Sequence, residues 1–374
     1  MHRILIDINS CTLKRGQNYL PGIGRSTLEL IRAFGRITPI DPIELQLYAQ
    51  YVRSKLNARE DYRHLKLWHI PLPGNQRLRD LVCYTGIREY LSRYDLLHVP
   101  HNYETVRFPE RTIVTIHDTF CFKDTDNANG LMEQREKQTW LAHACKAIVT
   151  CSEASKTDII HNLNVPPEKI VMIPWGINTD TFFPEAGQNA DYKLSAMGVK
   201  GPYFLSVSCG VGRKNTPMIL HAYRYLYQQT ATCAKLVLVW KDAPVWLLEE
   251  FAPEFSAGRI LLLPAVDDQM LRSLYSAAIA TLYLSRYEGF GFVPLESMAC
   301  GTPVIIGSNT ALKEVAREYG TYVDITDKKD IAAAMAAIMN EKVVFNSKVL
   351  HNHAAGFNWD ITAKAYLNFY MEHV

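Results

Sequence analysis

The chain has 374 residues, 48% of them hydrophobic and 21% charged, with a net charge of +2. That length accommodates two domains of ordinary size, and so small a net charge gives no global attraction to nucleic acid. No apolar run approaches the roughly 20 residues that cross a bilayer, and "MHRILIDINS" lacks the apolar core and cleavage site of a signal peptide. The chain is therefore expected in the cytoplasm.

Short β-branched runs alternate with helical patterns from the start. "RILIDIN" (3–9) reads as a first strand, and "LPGIGRSTLELIRAF" (20–34) sets Gly22 and Gly24 ahead of an amphipathic helix with Leu28, Leu30, Ile31 and Phe34 on its apolar face. Glycine lets a backbone approach a ligand closely, and a helix N-terminus favours negative charge. A plain flexible loop before a helix reads the same residues. The dinucleotide fingerprint is not met, because the loop does not follow the strand directly and Thr27 stands where the third glycine belongs.

Further strands are predicted at 44–50, 65–71, 94–100, 112–118, 147–152 and 170–174. Between them, "NQRLRDLVCYTGIREYLSRY" (75–94) spaces Arg77, Arg79, Arg88 and Arg93 among Leu78, Leu81, Val82, Ile87 and Tyr90. This is the pattern of a basic amphipathic helix. It reads either as a packed helix with a solvated basic face or as a dock on anionic lipid at the inner face of the membrane. His117 and Asp118 close the strand 112–118. A histidine at a strand's carboxyl end can hydrogen-bond a substrate hydroxyl or move a proton near neutral pH; it can also simply cap the strand. Ser152 is placed as the N-cap of the helix that follows.

The stretch 175–202, rich in Gly, Asn, Asp and Pro and without a clear period, reads as the linker to a second domain. There the strands fall at 203–209, 235–241, 259–265, 280–285, 302–308 and 321–326, and a helical stripe at 359, 363, 366, 367 and 370 ends the chain. Nearly continuous apolar strands between amphipathic helices imply parallel sheets covered on both faces. The fold class is α/β, with two doubly wound Rossmann-like domains, 1–180 and 181–357, facing a deep cleft between the carboxyl ends of their sheets.

Two motifs sit at strand ends of the second domain. In "SVSCGVGRKN" (206–215) a glycine-rich turn delivers Arg213 and Lys214 just ahead of a helix. Such a pair suits a pyrophosphate, although an exposed basic pair on a loop reads the same. In "SRYEGFGFVPLESMACGTPVI" (285–305), Glu288 lies on the loop past a strand, Pro294 suits the first helical position, and Glu296 falls just inside that helix. The acids do not share a helix face, so a glycosidase-like carboxylate pair is not suggested. Gly289 and Gly291 bare backbone N–H groups at the helix start. No Ser or Thr stands at 292 or 293 to complete a capping box with Glu296. The eight cysteines form no C-x-x-C pair and read as reduced core thiols, the histidines lack H-E-x-x-H spacing, and "HNH" (351–353) reads as a solvated face.

Glu288 and Glu296 form an E-x₇-E pattern within "EGFGFVPLESMACGTPVI". With "GIGR" (22–25), "HD" (117–118), "SEASK" (152–156), "IPWGINTDTF" (173–182), "RKN" (213–215) and "VDDQMLRSLYSAA" (266–278), it resembles the retaining GT-B glycosyltransferases of family GT4, the glycosyl transferases group 1 clan. The likeness covers essentially the whole chain. It implies a GT-B fold whose last helix, 358–374, crosses back to the N-terminal, acceptor-side domain, with the nucleotide-sugar held by the C-terminal one. It implies hexose transfer from a nucleotide-sugar to an acceptor hydroxyl with retention, by front-face attack. No cofactor or metal is expected, since Arg213, Lys214 and the helix dipole would neutralise the leaving diphosphate.

By position, Glu296 would bind the ribose and Glu288 the donor sugar, while the backbone of Gly289, Phe290, Gly291 and Phe292 would hold sugar and phosphate. Gly22 and Gly24 would approach the diphosphate or acceptor, and His117 would line the reacting centre. The resemblance makes GDP-mannose the leading donor. It makes a lipid-linked or growing oligo- or polysaccharide of the bacterial surface, such as O-antigen, the expected acceptor. The chain departs from the family pattern at "VSCGVGRKN", which leaves phosphate contacts chiefly to Arg213 and Lys214, and at "VWKDAP" (239–244), where contacts to the base would fall. Two other readings stand beside this one. A Rossmann oxidoreductase needs a fingerprint loop and an acid ending strand two, neither of which is present. A non-catalytic nucleotide-sugar binder would be expected to lack one of the acids or cations, and all four are present.

Overall fold

The computed structural model describes residues 1–13, 20, 22–37, 42–50, 55–56, 59–69, 81, 83–101, 106–123, 131–185, 188–230, 234–308 and 311–374. They divide into two compact units, Met1–Gly176 with Asn358–Val374, and Ile177–Phe357.

In the first unit the strands are β1 (His2–Asp7), β2 (Thr12–Leu13), β3 (Ile43–Ala49), β4 (Lys55–Leu56), β5 (Lys66–His69), β6 (Leu96–Val99), β7 (Thr112–Thr115), β8 (Ala147–Thr150) and β9 (Ile170–Met172). Among the described residues the main sheet has the order β5-β3-β1-β6-β7-β8-β9, and β2 pairs with β4 alone. Every main-sheet pairing is parallel, with Ile4 opposite Leu45 on one side of β1 and Leu96 on the other. Strands buried on both faces read as the nearly continuous apolar runs seen in the sequence: β6, β7 and β8 are buried at every residue.

The helix Gly22–Ile37 begins at Gly22 itself. Gly22 and Gly24 thus lie in its first turn rather than on a loop before it. A Cβ on Gly24 would sit 2.2 Å from the Ser10 carbonyl oxygen, whereas one on Gly22 meets nothing within 4 Å. The close approach that requires Gly24 is to this chain's own backbone.

The final helix, Trp359–Met371, is capped by Asn358, whose side chain accepts from the N–H groups of Asp360 and Ile361. The predicted stripe is buried: Trp359, Ala363, Tyr366, Leu367 and Tyr370. It packs on the helix Gly22–Ile37 through Phe34, 6.5 Å from Tyr366 and 6.1 Å from Tyr370 between ring centroids. Burying a large apolar side chain such as Leu367 or Phe34 in this way contributes about 1.5–3 kcal/mol. At the start of this helix a Cβ on Gly176 would fall 2.3 Å from the Trp359 nitrogen.

Much of the predicted basic helix 75–94, including Arg77, Arg79, Leu78 and Val82, lies outside the described residues. What is described is not one continuous basic helix. Gly86, at φ +71°, turns the chain before the short helix Ile87–Ser92. Arg88 is buried, ion-paired with Glu89 and set over the Tyr48 ring, so it contributes nothing to a solvated face.

The second unit has β10 (Tyr203–Val207), β11 (Lys235–Val239), β12 (Ile260–Leu263), β13 (Ala280–Tyr283), β14 (Val304–Gly307) and β15 (Gly320–Val323). Their order is β12-β11-β10-β13-β14-β15, all parallel. Phe204, Leu236, Leu238, Leu282 and Ile305 centre its core. Part of the stretch read as linker is helical, Gln188–Ala196. Its described buried positions are only Ala190 and Leu194, too few to print an apolar stripe. The "HNH" residues are not a solvated face either. His351 Nδ1 bonds the Ala299 carbonyl at 2.6 Å and His353 Nε2 the Val315 carbonyl at 2.7 Å, each close to the end of a neighbouring helix. Seven cysteines of the described residues are free thiols, five of them buried.

Candidate active site

In each sheet the strand order reverses once, between β1 and β6 and between β10 and β13. Open α/β sheets bind ligands at the carboxyl ends of strands beside such a switch point. In the second unit the loops leaving β10 and β13 carry Arg213, Lys214 and Glu288. They are tied together by the Arg286 N–H, which donates to the Arg213 carbonyl at 2.8 Å.

Sequence separation of 74 residues collapses there to contact. Lys214 Nζ lies 2.7 Å from Glu288 Oε1, and Arg213 Nη1 lies 3.5 Å from Oε2. Tyr283, the last residue of β13, accepts from Lys214 Nζ at 2.5 Å and donates to Glu288 Oε1 at 2.8 Å. The Ser285 hydroxyl donates to the same oxygen at 2.6 Å. Burial by itself would raise the Glu288 carboxyl. The Lys214 ammonium, the Arg213 guanidinium and the hydrogen bonds overturn that, so it is held below the ordinary carboxylate value. Burial wins at Lys214, whose ammonium is held below its ordinary value although Glu288 opposes the shift. Removing either partner would strand a buried charge.

The next helix, Phe292–Ala299, starts at Phe292 with Gly291 as its N-cap at φ +138°. Pro294 is therefore third in the helix, not first, and Glu296 lies in its second turn rather than just inside its start. Glu296 is buried, and its Oε2 accepts from the Tyr275 hydroxyl at 3.0 Å. Phe290 is buried as well, its ring edge-to-face with Phe292 at 5.2 Å and with Phe357 at 6.2 Å. Gly289 continues the loop from Glu288, and the first helical turn carries no acid to oppose an anion.

His117 belongs to the first unit, just past β7. Its Nε2–H donates to the Pro100 carbonyl at 2.9 Å, which leaves Nδ1 as a buried acceptor without a hydrogen-bond partner among the described residues. Burial pushes its pKa down to about 4 against the pull of that carbonyl. At neutral pH the ring is uncharged, so it can accept from a hydroxyl but is not the near-neutral acid the sequence allows. His98 of β6, bonded to Thr115 and to Tyr370 of the final helix, is pushed to about 3 by burial and by His101 and His117. His101 Nε2 lies 3.5 Å from Asp7 Oδ1 at the ends of β6 and β1. Sequence reasoning passed over Asp7, His98, His101 and Tyr283. The signal was there: each is a polar residue in or beside an otherwise apolar strand, a pattern that burial permits only with partners.

Among the described residues no group of three or more His, Cys, Asp or Glu is placed to hold a metal ion, and no helix is long and apolar enough to cross a membrane.

The Glycosyltransferase Family 4 description matches residues 21–181, and that of Glycosyl transferases group 1 matches residues 193–353. The O-antigen chain mannosyltransferase B of Escherichia coli is 29% identical over 336 residues, 84% of this chain and 86% of that protein. The O-antigen chain mannosyltransferase RfbU of Salmonella typhimurium is 26% identical over 353 residues, 91% of this chain and 92% of that one. Among solved structures, the sucrose-phosphate synthase of Thermosynechococcus elongatus superposes with a TM-score of 0.74 at 17% identity, covering 100% of this chain and 99% of that one. Two parallel sheets, each with one switch point, and two family matches that together span most of the sequence place this chain in the group 1, GT4-type glycosyltransferases with the GT-B fold.

Proposed function

We propose that the protein is a retaining hexosyltransferase that moves mannose from GDP-mannose to a hydroxyl of a lipid-linked or growing oligo- or polysaccharide. The observation that carries this reading is the cluster of Arg213, Lys214 and Glu288 at the switch point of the second unit. Two cations there can take the charge that develops on a leaving diphosphate, a role that does not require a metal. The helix start at Phe292 adds its dipole to theirs. Glu288, kept ionised, accepts hydroxyls of the transferred sugar, and Glu296 takes the ribose. The backbone from Gly289 to Phe292 holds sugar and phosphate, and the turn of Gly22 and Gly24 is assigned to the diphosphate or acceptor. His117 presents Nδ1 to a sugar hydroxyl. Retention by front-face attack asks no side chain to act as the base, because the leaving phosphate oxygen takes the acceptor proton. A neutral, partly satisfied His117 accords with that.

The two O-antigen mannosyltransferase relatives support mannose and a polysaccharide acceptor. Transfer is placed on the cytoplasmic side. Leu81, Tyr84 and Tyr90, each more than 60% exposed, support contact of the segment 75–94 with the membrane face.

The test begins with thermal shifts against GDP, UDP, ADP and dTDP sugars, since a ligand of the folded state raises its melting temperature. GDP-mannose is expected to give the largest shift. Transfer to a mannose-containing acceptor should then survive EDTA, and NMR should show an α-linked product. A β-linked product from the α-linked donor rules out retention, and tight NAD(P) binding without any nucleotide-sugar binding restores the oxidoreductase reading.

A further inference from the structure

The Glu288 carboxylate is held unevenly. Oε1 receives Lys214 Nζ at 2.7 Å, Tyr283 Oη at 2.8 Å and Ser285 Oγ at 2.6 Å, while among the described residues Oε2 has only the 3.5 Å approach of Arg213 Nη1. Three donors saturate one oxygen and leave the other with acceptor capacity. Tyr283 is 5% exposed, and Lys214 Nζ lies 4.9 Å from its ring centroid. A phenol has one hydrogen. With the carboxylate as its acceptor, its lone pairs are left for the ammonium, so one hydroxyl bridges both charges. Ser285 has three acceptors in reach, Glu288 Oε1, the Arg213 carbonyl and the Tyr287 carbonyl, the last two at 3.2 Å. Its single hydrogen goes to the nearest and only charged one.

We propose that Tyr283 and Ser285 are positioning residues of the transfer reaction, anchoring Glu288 through Oε1 so that Oε2 is the oxygen presented to the donor sugar. Tyr283 holds the carboxylate and the Lys214 ammonium in register; Ser285 holds the carboxylate alone. The inference rests on reading Glu288 and Lys214 as donor-binding groups. It goes further in stating that the resting ion pair need not be dismantled when donor binds, because the ligand-facing oxygen is already spare.

The two hydroxyls make different predictions. Activity requires Glu288 ionised and Lys214 protonated, so the first sets the acid limb of the rate profile and the second the alkaline limb. Tyr283→Phe removes a donor from Glu288, which raises its pKa, and an acceptor from Lys214, which lowers its pKa. The bell therefore narrows from both sides. Ser285→Ala touches only Glu288 and moves only the acid limb. The other ionisable groups sensed here, Arg213 and Cys209 by Lys214 and Glu296 by Tyr283, are unchanged in both variants.

The experiment follows GDP release from GDP-mannose by the full chain, with a mannose oligosaccharide as acceptor, across the pH range in which the fold is intact. Each variant is expected to lose about tenfold in kcat, the size of one hydrogen bond to a charged group, with a smaller change in donor KM. Ser285→Thr, which keeps the hydroxyl, should recover most of the rate. Unmoved limbs in Tyr283→Phe, or both limbs moving in Ser285→Ala, overturn the proposal. Phenylalanine preserves the ring volume, and matching circular dichroism and melting temperature exclude a folding defect. Glu288→Gln separates the two levels. If it keeps wild-type rate, the donor-site reading itself fails. If it is inactive while Tyr283→Phe keeps the wild-type profile, only the positioning role fails.

Discussion

The two units use one topology for opposite electrostatics. Where the order reverses in the first sheet, between β1 and β6, the strand ends carry Asp7 and His101, with His98 within β6 and His117 beyond β7. Burial drives the His98 and His117 rings to the neutral form. Where it reverses in the second sheet, between β10 and β13, the strand ends carry Lys214, Arg213 and Glu288. There each charge has an opposite charge in contact, which outweighs burial at Glu288 and opposes it at Lys214. One switch point thus gathers buried neutral imidazoles around Asp7 and the other an ion-paired cluster, and the difference comes from side chains set on equivalent strand ends.

The comparison breaks most sharply at Glu288. Glu288→Gln keeps the shape but removes the charge that Lys214 and Arg213 need, and kcat for transfer should fall by about 10²–10³-fold. Steady-state rates on a protein of unchanged circular dichroism check it. In the first unit the largest expected effect is steric. Gly24→Ala puts a methyl against the Ser10 carbonyl and should cost about 1–3 kcal/mol, measured by denaturant unfolding. Gly22→Ala, with open space around its Cβ, should leave stability unchanged. A Gly22→Ala variant that is stable but impaired in transfer would place a ligand at that turn.

The neutral histidines give a pH dependence with a definite sign. An unfolded histidine titrates near 6.5, while His117 and His98 in the fold titrate near 4 and 3. The unfolded state thus binds protons first, and the stability due to these rings is full above 6.5 and lost as pH falls toward their folded values. Melting temperature should fall by several degrees between 6.5 and 4.5, before an ordinary glutamate is half protonated at 4.5. His117→Gln should fall less over the same range. A smaller loss is expected at the last helix, where Asn358→Ala removes a cap and should cost about 1 kcal/mol, visible in the unfolding midpoint.

What the sequence revealed and what it hid follow from the same physics. Strands such as "AIVTCS" and "TPVIIGS" are legible because a strand covered on both faces is nearly continuously apolar. The stripe from Trp359 to Tyr370 is legible because one helix face meets Phe34 and its neighbours. Arg213, Lys214 and Glu288 stand out as charges placed just after such strands. Pro294 misled the reading of the helix start: proline favours a first turn, yet Gly291 at φ +138° begins the helix at Phe292, which moves Glu296 to the second turn. Arg88 looked like part of a solvated face, but its partners Glu89 and Tyr48 come from its own helix and from β3. The positions of Tyr283 and Ser285 in the sequence do not reveal that both point at one carboxylate oxygen, since that depends on how the loop after β13 folds Glu288 back toward them.

The central claim is that the paired charges of the second switch point receive the donor's diphosphate. Isothermal titration of GDP into the wild-type chain, Arg213→Met and Lys214→Met tests it most directly. Each loss of a charge-assisted phosphate contact should weaken binding by about tenfold or more, and the double variant by more than either alone. Equal GDP affinity in the wild type and the double variant would contradict the account.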